Sequence, residues 1–139
     1  SPSSAASDVY KRQIINITVP VSQEYWMPLA YVTSKAAQNA MTFAFGHQFK
    51  KDKSQKQIFA VMPGAVATDL NGAKVGDSPF VKSPEETAQM ISKFIFDNKN
   101  HNAQIINFDG TIYDNYEPGL RNKVIKDVAK NGLKRKFKK

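Results

Sequence analysis

The chain has 139 residues, 41% of them apolar, no cysteine and a formal net charge of +8. That is one domain's length with enough apolar content to bury a core, so neither disulfides nor metals are required for stability. The absence of cysteine excludes a disulfide framework, thiol catalysis and Cys-based zinc sites; it fits a reducing compartment, and the cytoplasm is the expected location. No apolar run approaches the ~20 residues of a membrane span, and the start lacks the charged-then-apolar order of a secretory signal, so no membrane partner is expected. The charge is local: nine basic residues and one acid lie between Arg121 and Lys139, leaving eleven of each sign in residues 1–120. A neutral body with a basic tail at 120–139 reads as a solvated terminus and disfavours nucleic acid as a partner.

Residues 1–13 have low hydrophobicity, no periodicity and no initiating Met; the run from Ala6 to Gln13 resembles translated adapter sequence and is expected to be non-native or disordered. The β-branched run from Gln13 to Val19, ended by Pro20, predicts a strand buried on both faces. Residues 20–29 hold Pro20, Ser22 and Pro28 with Tyr25, Trp26 and Met27, a loop with apolar anchors that could wall a pocket. Ala37, Ala40, Met41, Ala44 and Phe45 recur at helical spacing and predict a helix from Ala30 to about Phe49. The polar stretch Lys50 to Lys56 breaks it, and Gln57 to Met62 predicts a second buried strand before Pro63 and Gly64. A helix between two such strands makes a β-α-β unit, which puts both strand C-termini at the sheet edge where ligands bind in open α/β folds.

Residues 70–82 have the composition of a long mobile loop. Ser83, Pro84 and Glu86 form a helix-start signature, with the helix expected to run to Asp97. Asn98 to Asn102 reads as a turn, Gln104 to Phe108 as a third strand, and Asp109-Gly110 as a tight turn before Thr111.

Tyr31 and Lys35 carry the chemistry. Four residues apart, they share one helix face, where an ammonium stabilises a phenolate and makes the phenol a usable proton donor and acceptor. Tyr31 follows a strand and an apolar loop, so its hydroxyl is expected at the C-terminal edge of the sheet. Pro63 ends the second strand, Gly64 lets the backbone approach a ligand closely, and the Val66 amide and Thr68 hydroxyl can face that ligand. His47 and His101 lie far apart without a carboxylate at ligand spacing and read as surface residues rather than metal ligands; no metal site is expected. Asp69 and Asp109 read as loop residues that cap or turn, and Phe80 as a pocket-lining or anchoring aromatic.

The strand Ile14 to Thr18, the Tyr31-x-x-x-Lys35 pair and the Pro63-Gly64-Ala65-Val66-Ala67-Thr68 segment, in this order, resemble the C-terminal, catalytic-tyrosine half of the short-chain dehydrogenase/reductase family. The resemblance covers residues 14 to about 113, within an expected domain portion 14–119, and implies an α/β, Rossmann-like parallel sheet, incomplete, with only its C-terminal half present. It implies hydride transfer between NAD or NADP, NADP slightly ahead, and a small carbonyl or alcohol. Tyr31 is then the general acid in reduction and the base in oxidation. Lys35 supports Tyr31 and binds the nicotinamide ribose, and Pro63, Gly64, Val66 and Thr68 contact the cofactor. The family's serine falls on Thr18 by the commonest offset, whose hydroxyl would polarise the carbonyl; in the neighbouring register it falls on Val19, and Ser22 must substitute.

The family's Gly-x-x-x-Gly-x-Gly turn, its NAD/NADP-selecting residue and its asparagine motif occur nowhere in these residues. The chain is therefore expected to be an oxidoreductase fragment, inactive alone, and a homo-oligomer when full length, with Ala36, Ala37 and Ala40 permitting close helix packing. The competing expectation is a non-catalytic Rossmann-like binding or regulatory protein. Lys82 to Ala88 and Ile105 to Gly110 look like segments of compact members acting on small carbonyl compounds.

Overall fold

The computed structural model describes residues 12–21, 28–113 and Lys130. Most of the N-terminal segment, Ser22, Tyr25, Trp26, Met27 and nearly all of the basic tail lie outside the described residues. Five elements follow one another: β1 (Gln13–Ile17), α1 (Leu29–Lys51), β2 (Gln57–Met62), α2 (Pro84–Ile95) and β3 (Ile105–Asn107). The strands form one parallel sheet in the order β1-β2-β3. Gln13 pairs with Gln57 at one end of the β1–β2 ladder and Ile17 with Val61 at the other, while Ala60 to Met62 run beside Ile105 to Asn107. The sequence reading of an α/β chain with parallel strands joined by helices holds, with β1 and β3 shorter than expected, but β1 is not buried on both faces: among the described residues it lies at the sheet edge with only β2 beside it, and Ile14 and Ile17 are exposed.

β2 is the axis, and all six of its residues are buried. Its alternating side chains feed two cores, as the two-residue period of a strand requires. On one face Phe59, Val61 and Ile106 pack with Ile15 of β1 and with Ile91 and Phe94 of α2. On the other, Ala60, Met62 and Ile105 pack with Phe43 of α1 and Tyr113. The described residues thus form three layers, helix on sheet on helix, the parallel-sheet arrangement that covers both faces.

The helices are seated differently. α2 starts as its sequence dictates: Ser83 Oγ accepts from the Glu86 amide at 3.1 Å, Pro84 takes the first position, and Glu85 and Glu86 lie in the first turn. It ends at Ile95, two residues before Asp97, where the Phe96 amide closes on the Ser92 carbonyl. α1 has no side-chain cap at Pro28, and its buried residues are Asn39, Thr42 and Gly46. A Cβ on Gly46 would stand 2.6 Å from the Ala103 Cβ and 2.8 Å from its Cα, so only glycine lets the helix approach there. Asn102 bridges that approach, donating to the Gly46 carbonyl at 2.7 Å and accepting from the Ile58 amide at 3.1 Å. No helix among the described residues is long and apolar enough to cross a membrane.

Candidate active site

The C-terminal end of β1 is joined to α1 by three polar rungs. Asn16 Nδ2 donates to Thr42 Oγ1 at 3.0 Å, Lys35 Nζ to the Ile17 carbonyl at 2.8 Å, and Thr18 Oγ1 to Asn39 Oδ1 at 2.5 Å. Lys35, Asn39 and Thr42 are spaced by four and three residues, the interval that puts side chains on one helix face. Thr18 also extends the ladder, its amide donating to the Val61 carbonyl at 2.9 Å. Farther along, the Tyr113 hydroxyl donates to the Val21 carbonyl at 3.3 Å, tying the segment after β1 to the turn following β3. Burial pushes the Tyr113 phenol up, against the opposing effect of that contact.

Tyr31 and Lys35 come together as expected: the ammonium lies 5.9 Å from the centroid of the Tyr31 ring. Gln38 Oε1 adds a second acceptor to Lys35 at 3.2 Å. The ammonium is therefore fixed from two directions beside a phenol at the C-terminal end of the sheet, where Tyr31 is half-buried. An open groove of about 390 Å³, lined by Ser34, Lys35, Ala37, Gln38 and Met41, runs along the same helix. Ala37 and Ala40 are exposed on that outer face and Ala36 is half-buried.

Thr18 sits at the strand end but is turned inward. It is 1% exposed and its proton goes to Asn39, so its hydroxyl serves the strand–helix joint. Val19, the other register, is half-buried and has no hydroxyl to offer. Asn39 is 4% exposed, and its Nδ2 has no hydrogen-bond partner among the described residues.

The second wall follows β2. Gly64 has φ +71°, a left-handed conformation that favours glycine. A Cβ there would also meet Lys82 Nζ at 3.0 Å and the Phe108 ring at 3.1 Å. Val66 forms a bridge with Lys82: the Lys82 amide donates to the Ala65 carbonyl at 3.0 Å, and the Ala67 amide donates to the Lys82 carbonyl at 2.9 Å. Thr68 is exposed, and its carbonyl accepts from the Asn71 and Gly72 amides. Residues 68–81 therefore leave and return through one pinned base, and Leu70, Val75 and Phe80 on this excursion are exposed.

Two residues depart from their reading. His101 is not a surface residue: its Nε2 lies 2.8 Å from Asp97 Oδ2, its Nδ1 3.1 Å from Gln104 Oε1, and its ring packs tilted against that of Phe59, centroids 5.4 Å apart. The carboxylate partner lies four residues earlier, a spacing that becomes a contact only through the turn after α2. Lys82, the last residue of the stretch with loop composition, is buried. Asp109 does what a turn residue does, accepting from the Thr111 amide and hydroxyl at 2.9 and 2.7 Å. Among the described residues no cluster of His, Asp or Glu is arranged to hold a metal. Sequence reasoning missed Asn39, although its place four residues after Lys35 was a usable signal.

No protein-family model matches the sequence, and no curated protein does. Solved structures do. The NADPH-bound carbonyl reductase from chicken fatty liver matches with a TM-score of 0.62 and 24% identity over 73% of this chain and 42% of its own. Carbonyl reductase Sniffer of D. melanogaster matches at TM-score 0.55 and 25% identity, over 72% of this chain and 40% of its own. A short chain dehydrogenase/reductase family protein matches at TM-score 0.51 and 21% identity, over 76% and 48%. The chain spans less than half the length of each of these structures. Its three parallel strands and two packed helices have the architecture of part of the Rossmann-like fold of short-chain dehydrogenases and reductases.

Proposed function

We propose that this chain is the catalytic-tyrosine half of an NAD(P)-dependent short-chain oxidoreductase acting on a small carbonyl or alcohol. The observation that carries this reading is the Tyr31–Lys35 pair at the C-terminal end of β1, its ammonium anchored to the Ile17 carbonyl and facing the phenol ring. The residues present fit the nicotinamide-ribose end of the cofactor. Lys35 offers ammonium donors at the strand end, and the left-handed turn at Gly64 leaves the Val66 and Thr68 segment at the same edge. Likeness to an NADPH-bound reductase favours NADP over NAD.

When bound, the nicotinamide supplies or takes the hydride. Tyr31 holds the proton at its phenol oxygen and gives it to the substrate oxygen as negative charge develops there; in oxidation it withdraws that proton. Lys35 stabilises the phenolate left behind, at a position fixed by Ile17 and Gln38. Thr18 belongs to the site as a positioning residue, since its hydroxyl is committed to Asn39. The residues for the pyrophosphate and adenosine are absent from these 139 residues, so the chain alone should bind the cofactor weakly and turn nothing over.

The test uses the gene with its upstream coding sequence, assayed for NADPH-dependent reduction of small ketones and aldehydes. Tyr31→Phe should lower kcat by about 10²–10⁴-fold with NADPH binding retained, the range for removing a general acid. Lys35→Ala should damage cofactor affinity and kcat together, and kinetics unchanged in either variant would overturn the mechanism. The inward turn of Thr18 favours a second reading, a non-catalytic dinucleotide-binding protein; NADPH binding without turnover in the unaltered protein would select it.

A further inference from the structure

Lys82 is the one charged side chain among the buried residues described, with 8% of its surface exposed. No carboxylate pairs with it among the described residues. Its ammonium lies 3.8 Å from the centroid of the Phe108 ring, over the face, and reaches the Phe80 carbonyl at 3.5 Å. Burying an ammonium without a carboxylate is expensive, and a ring face offsets only part of that cost. A methionine, of similar length, would fill the same space without the penalty. The position of the charge gives it a use: the ammonium stands 3.0 Å from where a Cβ on Gly64 would be, on the turn that opens the Pro63–Thr68 segment. The Lys82 backbone grips the same segment through the Ala65 carbonyl and the Ala67 amide.

We infer that Lys82 is a positioning residue for the dinucleotide-contacting segment, its ammonium seated on the Phe108 ring and the two together backing the Gly64 turn, a clasp completed as its backbone closes the base of the 68–81 excursion. The assignment rests on the functional reading above for the word dinucleotide; the clasp itself rests on the contacts alone. Its consequence is that the segment is held in shape before any ligand arrives, so a ligand pays less to order it. The exposed, apolar Leu70 and Val75 farther out on the excursion can then move about a fixed base without carrying Gly64 and Val66 with them.

The protein expressed with its upstream coding sequence is compared as wild type, Lys82→Met, Lys82→Arg and Phe108→Leu, by thermal melting and amide hydrogen exchange of residues 64–68. Lys82→Met should leave the melting temperature unchanged or raised, because a buried charge is replaced by an apolar chain of similar length, while the Ala67 amide exchanges roughly 10-fold faster as the cation–π contact is lost. Lys82→Arg, which keeps a cation able to stack on the ring, should restore protection, and Phe108→Leu should reproduce the loss. Exchange unchanged in Lys82→Met, or melting and exchange worsening together, would overturn the clasp. NADPH titration separates the two claims. Wild-type amides at 31–35 and 64–68 that ignore NADPH, in a protein carrying its upstream half, count against the cofactor reading, whereas the exchange result decides the clasp either way.

Discussion

α1 and α2 flank one sheet, yet they are held to it by different physics. α2 is placed by a capping serine and by Ile91 and Phe94 resting on Phe59, Val61 and Ile106. α1 adds to Phe43 a set of directional polar contacts, Asn16–Thr42, Ile17–Lys35 and Thr18–Asn39, and a glycine contact with Ala103. Apolar packing is non-directional and tolerates small slides; hydrogen bonds weaken steeply when misaligned. The helix that carries Tyr31 and Lys35 is the one whose position along the strand is fixed by hydrogen bonds. On the proposed function, Tyr31 is a proton donor, and a proton donor must be placed more closely than a covering helix.

The contrast is sharpest at Thr18. Thr18→Val leaves the Asn39 amide buried with neither end bonded, and should cost about 1–3 kcal/mol in urea unfolding. The double variant Thr18→Val, Asn39→Leu should recover much of the loss, since both partners are then apolar. A single variant as stable as wild type would show that the rungs do not hold α1. Next comes Gly46→Ala, which gains helix propensity but forces the Ala103 backbone away. A net loss of roughly 1–2 kcal/mol is expected, and a gain would mean that α1 slides freely.

On the other side of the sheet, Ser83→Ala should cost about 1 kcal/mol through the lost cap, and it should leave the Tyr31 and Lys35 resonances unmoved. The smallest effect lies in the turn after α2. Burial pushes the Asp97 carboxyl up, but the Lys99 amide, the His101 hydrogen bond and the charges of His101 and Lys99 outweigh it and hold it below the usual range. A carboxyl lowered on folding stabilises above its unfolded value near ~3.9, and that contribution is lost as pH falls through the folded value. The stability gap between wild type and Asp97→Asn should accordingly be present near pH 5 and close as pH falls below about 4. A gap that widens on acidification would reverse the assignment.

Much of this was legible in the residues. The β-branched run of β1, the six-residue run of β2 and the Ser83–Glu86 start of α2 are local signals, and local signals survive folding because they act between near neighbours. The Tyr31–Lys35 spacing was equally readable, since helix geometry alone brings them together. The inward turn of Thr18 was not, because the offset from Tyr31 gives a place on the strand and not the face that its side chain takes. His101 and Lys82 were misjudged for a related reason: charge and loop composition suggest exposure, and only the chain path showed Asp97 and Phe108 waiting for them.

The sequence by itself determined the order of elements and the helix that carries the phenol and its ammonium, because periodicity, capping and i to i+4 spacing are properties of short stretches; which face of the sheet each helix covers is a tertiary fact. Tertiary structure alone decided which hydroxyl is spent inside, which lysine is buried against a ring and which glycine admits a neighbour. Those are contacts across 21 to 57 residues of chain, made only when β1, β2 and β3 have come side by side.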